Sequence, residues 1–228
     1  MRGERILLVG IGVVAGFLYS NFLFDAIFSQ NHDWFTVVSD LAASGTPMAD
    51  LIRITDVICG VLVLVLLPGI RAALPPGRWR RAALWLTAVF AVGSIVAAVV
   101  PLPCDTDAVC KSTVDELQRL VHDGASVVSA AALFLGAVAV ALAVADRRHW
   151  VRRAAWLTFW IGGIVGILLF GGFALLDPSS WESGVAQRFQ IVAMSVWIVC
   201  LAVLAATDGL ANRRAVARRE GARGGEPD

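Results

Sequence analysis

Three groups of polar residues interrupt long apolar stretches of this chain: Arg53 with Asp56, His122 with Ser126 and Ser129, and Gln187 with Arg188. Their spacing gives each group a possible use. Arg53 and Asp56 are three apart, on one helical face, and can pair locally. His122, Ser126 and Ser129 follow i, i+4, i+7 and form one polar stripe, which Gln118 and Asp115 extend; Asp123 falls on a neighbouring face. Asn21 and Asp25 are four apart, and Ser39 and Asp40 are adjacent. Two chemistries fit these residues. Arg53 and Arg188 suit a phosphate or carboxylate, which a guanidinium grips through parallel N–H donors. Arg188 also needs an anionic neighbour, for which Asp25, Asp40 and Asp56 are the candidates. The second chemistry is acid–base or nucleophilic, with His122 as base or acid, Ser39 or Ser126 as nucleophile and Asp40 or Asp56 orienting it. Ser126 lies one turn from His122 on the same helix, a poor geometry for attack on a third group. His32 and His149 lie outside this belt, so no multi-histidine metal centre is expected, and no cofactor.

The elements that must hold these residues are membrane helices. Of 228 residues, 58% are hydrophobic and 16% charged, with a mean hydropathy of +0.74, against about 25% charged in a soluble domain. Six apolar runs approach the roughly 20 residues that a spanning helix needs. They are approximately Ile6–Phe28, Pro47–Ile70, Ala82–Val100, Thr113–Ala145, Ala154–Leu176 and Ser180–Thr207. The first reads as a retained span rather than a leader, because no small-residue cleavage site ends it. The expected fold is therefore an all-α, polytopic six-helix bundle over residues 1–212, followed by a basic, disordered tail at 213–228.

Charge sets the expected orientation. Fifteen of the 19 Lys and Arg, with six of the 18 acids, fall on one side as the spans alternate; four cations and twelve acids fall on the other. Net charges of +9 and −8 put both termini on the cytoplasmic side by the positive-inside rule. The basic clusters are explained by topology and by attraction to anionic lipid heads, not by nucleic-acid binding.

Three helices enter from the outer side with readable starts: Thr46 and Pro47, Thr113 with Glu116, and Ser179 with Glu182. Counted inward from these caps, Arg53, Asp56, His122, Ser126, Gln187 and Arg188 lie about 10–20 Å along their helices. Asn21 and Asp25 reach a similar level from the first helix. A polar pocket between helices 1, 2, 4 and 6, opening outward, is expected, with Ser39 and Asp40 in its cover. Helices 3 and 5 carry no charge; Gly162 and Gly166 have small-xxx-small spacing and read as packing. Cys59 and Cys200 lie in apolar helices, whereas Cys104 and Cys110 share an outer loop where a disulfide is expected; two cysteines without a neighbouring histidine make a poor metal site.

The segments "SDLAASGTPMADLIRITDVICGVLVLVL", "PLPCDTDAVC", "HDGAS" and "GVAQR" together resemble a bacterial six-helix membrane family catalogued as domain of unknown function 998, from Ile6 to about Thr207. A looser likeness links them to Frag1, DRAM and Sfk1-like membrane proteins, some connected with lipid handling. The first resemblance implies a bacterial plasma-membrane location. It also implies that Ser39, Asp40, Arg53, Asp56, Cys104, Cys110, His122, Ser126, Gly184, Gln187 and Arg188 fall on the family's motifs. It carries no established activity. The function expected first is binding or transfer of a lipid head group or small polar ligand, with membrane lipids as partners. A non-catalytic accessory protein with a packing network comes second, and a membrane-embedded hydrolase or transferase using His122 third.

Overall fold

The computed structural model describes residues 2–28, 36–103, 112–144, 149–176 and 181–212, and its regular structure there is helical throughout. Helix α1 (Arg2–Tyr19) is followed after Ser20 and Asn21 by α2 (Phe22–Phe28), and a short α3 (Val38–Leu41) precedes α4 (Ala49–Ala73). Then come α5 (Arg78–Val99), α6 (Thr113–Ala143) and α7 (His149–Leu157). A π-helical segment (Thr158–Val165) joins α7 to α8 (Gly166–Leu176), and α9 (Trp181–Leu204) runs into a second one (Ala205–Gly209). Five spans are long and apolar enough to cross a membrane: Ala49–Ala73, Arg78–Val99, Thr113–Ala143, Trp150–Leu176 and Trp181–Asn212. The α1–α2 pair makes a sixth if it is counted as one span. The chain is an all-α, multi-pass membrane protein. Residues 213–228, the expected tail, lie outside the described residues.

The first span corrects the expectation of a continuous helix, since α1 and α2 meet at 65°. The backbone ladder tightens there to i→i−3 bonds, from Ser20 N to Phe17 O (3.1 Å), Leu23 N to Ser20 O (3.1 Å) and Phe24 N to Asn21 O (2.9 Å). Tertiary bonds hold the break. The Ser20 and Ser195 hydroxyls are 2.9 Å apart, and Asn21 donates to Ile52 O at 3.3 Å. Asn21 therefore stands at the bend, and does not share a helical face with Asp25.

Helix starts also shift. The cap of α4 is Met48 without a side-chain bond; Thr46 instead donates to Leu41 O (2.6 Å) and Ala43 O (3.1 Å), tightening the preceding turn. In α6 the capping box is Ser112 with Asp115, one residue before the expected Thr113 and Glu116. Its two bonds are both 3.1 Å, satisfying orphan amides reciprocally. Ser179 lies outside the described residues, as do Cys104 and Cys110.

Val63, Leu66 and Ile70 of α4, Phe90 of α5, Leu133 of α6 and Trp197 of α9 meet in one buried core. In lipid such contacts are favoured by dispersion and close fit more than by escape from water. Small residues permit that fit. A Cβ on Gly209 would lie 2.4 Å from the Gly69 carbonyl oxygen, so α4 and the end of the last span touch backbone to backbone. Gly162 packs against Ala193 and Phe134, where a Cβ would come within 2.6 Å of the Ala193 methyl. Gly166 faces Gln190 instead, with ordinary van der Waals room at 3.5 Å.

Candidate functional site

A cavity of about 420 Å³ lies at the end of the bundle where α4, α6 and α9 begin. Its polar wall is built from Arg53 and Asp56 of α4, His122, Ser126 and Ser129 of α6, Gln187 and Gln190 of α9, Ser39 of α3, and Tyr19 and Asn21 at the α1–α2 break. Ser94 of α5 adds a hydroxyl. The rest of the lining is largely apolar, with Val127, Ala130 and Ala131 from α6 and Ile167, Phe170 and Gly171 from α8. This part of the lining exists because α6 packs along the π-helical segment while α8 follows α9, leaving a wedge between α6 and α8.

Several of the polar groups are tied to a neighbouring helix. Asn21 donates from Nδ2 to the Asp56 carboxyl at 2.8 Å. Arg53 donates from Nε to Ala98 O at 3.1 Å and reaches Asp50 at 3.4 Å. The expected Arg53–Asp56 pairing is thus replaced: Arg53 takes the acid on the preceding turn, and Asp56 takes the amide of Asn21. Asp50 is 90% exposed, so that ion pair adds little. The bond to the carbonyl of Ala98 is the one that directs it.

His122 is buried, with Nδ1 2.9 Å from both Ala97 O and Val100 O. Carbonyls only accept, so Nδ1 carries a hydrogen; in the neutral ring Nε2 is then the acceptor. Ala97 stands in the last turn of α5 and Val100 directly follows it, so no further turn of that helix bonds their carbonyls. His122 therefore caps its neighbour from the side. Ser129 donates to Phe90 O at 2.8 Å and lies 3.3 Å from the Ser94 hydroxyl. No hydrogen bond joins His122 to Ser39 or Ser126 among the described residues.

The cover is formed by α3 and the turn after it. Gln187 accepts from the Val38 amide, and Ser44 N donates to Leu102 O at 2.9 Å, tying this segment to α9 and to the end of α5. Ser39 reaches the cavity wall. Asp25, Asp40 and Arg188 do not; all three are buried nearby. Arg188 donates to Thr36 O at 2.8 Å and sits 5.7 Å from the Phe22 ring centroid, clamping the cover and α2 to α9.

Sequence reasoning missed the walls from α5 and α8, and Gln190, Met194 and Tyr19. Gln190 had a signal, since it stands three after Gln187 on a helical face. Among the described residues no group of three His, Cys, Asp or Glu is placed to hold a metal ion.

Residues 11–204 match the family model described as a protein of unknown function, DUF998. No curated protein and no solved structure matches the chain. The chain belongs to the DUF998 family.

Proposed function

We propose that this protein binds, and in doing so sequesters or hands on, an amphipathic molecule whose polar head sits in the 420 Å³ cavity. One observation carries the reading. A single cavity joins a polar wall of Arg53, Asp56, His122 and Gln187 to an apolar wedge of Val127, Ile167 and Phe170. The volume falls within the roughly 300–1,000 Å³ of small-ligand sites. It suits a lipid head with the start of a chain, the rest of which would pass between α6 and α8. The charge bias of the sequence supports cytoplasmic termini and a cavity facing the outer side of a bacterial plasma membrane.

The test is mass spectrometry of molecules retained by protein purified in mild detergent. Wild type should retain one lipid or polar-headed species, which Arg53→Gln or Val127→Trp should release while leaving thermal unfolding within a few degrees. Equal retention by all three proteins would overturn the reading. A second reading is favoured by a different observation: the bonds of His122, Asn21 and Ser129 already end on protein groups. On that reading the network only fixes helix packing, nothing is retained, and the substitutions lower stability alone.

A further inference from the structure

At the opposite end of the bundle, Arg71 in the last turn of α4 and Arg80 in the first turn of α5 share a groove of about 650 Å³. Pro68 from α4 and Leu84, Trp85 and Ala88 from α5 line its apolar length. Among the described residues it has none in common with the cavity described above. Trp85 is 73% exposed, in the second turn of a span long and apolar enough to cross a membrane. Amphipathic rings favour the membrane boundary, where head groups begin.

We propose that this groove is a binding site for one anionic phospholipid. Its phosphate lies between the Arg71 and Arg80 guanidinium groups, and an acyl chain runs along Pro68, Leu84, Trp85 and Ala88. Three features support this. Neither arginine makes a side-chain hydrogen bond or ion pair among the described residues, so both forks are available to a phosphate. The apolar strip continues directly from the charged mouth, as a head joined to a chain requires. Among the described residues no Asp or Glu lines the groove, so the ammonium of a zwitterionic head meets no counter-ion from them, whereas a net-negative head meets two cations. The last point separates this groove from the first cavity, whose polar wall includes Asp56.

Native mass spectrometry of the full chain, titrated with phosphatidylglycerol or phosphatidylcholine, tests the site. Wild type should bind one phosphatidylglycerol about tenfold more tightly than phosphatidylcholine. Arg71→Gln/Arg80→Gln should abolish that preference. Ala88→Trp keeps both arginines but fills the groove, and should lose the adduct too; if the double variant does not fold, Ala88→Trp decides alone. Arg2→Gln/Arg5→Gln removes the same charge from α1 and should leave the preference intact. The proposal fails if Ala88→Trp binds as wild type does, or if Arg2→Gln/Arg5→Gln loses the adduct equally. It also fails if inorganic phosphate displaces phosphatidylglycerol as well as a short-chain analogue does. Retention in the first cavity is scored separately with Arg53→Gln, so either site can fail alone.

Discussion

The amide of Asn21, at the bend between α1 and α2, donates to the Asp56 carboxyl on α4 across 2.8 Å. It is the side-chain bond Asp56 makes among the described residues. Asn21→Leu removes the donor and leaves a carboxyl facing an apolar group, which should cost about 1–3 kcal/mol. The pairwise share is read from a double-mutant cycle with Asp56→Leu in thermal or denaturant unfolding. Additive single effects would show that the contact contributes nothing of its own.

His122 should prove replaceable by a side chain that keeps its donor. Asn presents Nδ2 where histidine presents Nδ1, so His122→Asn should stay within about 0.5 kcal/mol of wild type. His122→Phe leaves the carbonyls of Ala97 and Val100 unbonded and should cost about 1 kcal/mol or more. The melting temperatures of both variants settle the order. If Asn destabilises as much as Phe, capping is not the role of the ring.

The cover over the cavity hangs on Gln187, which accepts from Val38. Gln187→Leu should speed amide hydrogen exchange across residues 36–44 severalfold while the core of α9 stays protected. Unchanged exchange in that segment would mean that the Ser44–Leu102 bond is sufficient to hold it.

Orientation is open to a direct measurement. A reporter that fluoresces only in the cytoplasm, fused after Asp228, should be bright, and a periplasm-dependent phosphatase at the same point should be inactive. The reverse pattern would turn the cavity toward the cytoplasm.

The spans were legible because length and apolarity alone identify a membrane helix, and five of them follow the sequence closely. The bend at Ser20 was not. No proline or glycine marks it, and its bonds come from Ser195 and Ile52, which only the folded chain brings near. The same limit explains Arg53. Asp50 and Asp56 both stand three residues from it, so spacing could not choose between them; Asn21 made the choice by claiming Asp56. Counting depth from the caps gathered Arg53, Asp56, His122, Ser126, Gln187 and Arg188 to one level, and the cavity walls include all of these but Arg188. It overlooked α5 and α8, whose contributions are alanines, a serine, a glycine and apolar side chains that no polar pattern flags.

The contact between Gly69 and Gly209 gives the bundle unequal ends. There two main chains touch, leaving no side chain that could rotate to let them part. Around the cavity the helices are held by exchangeable hydrogen bonds through Asn21, His122 and Gln187. A guest entering the cavity would meet bonds that can be traded for its own, while the Gly69–Gly209 contact keeps α4 and the end of the last span joined.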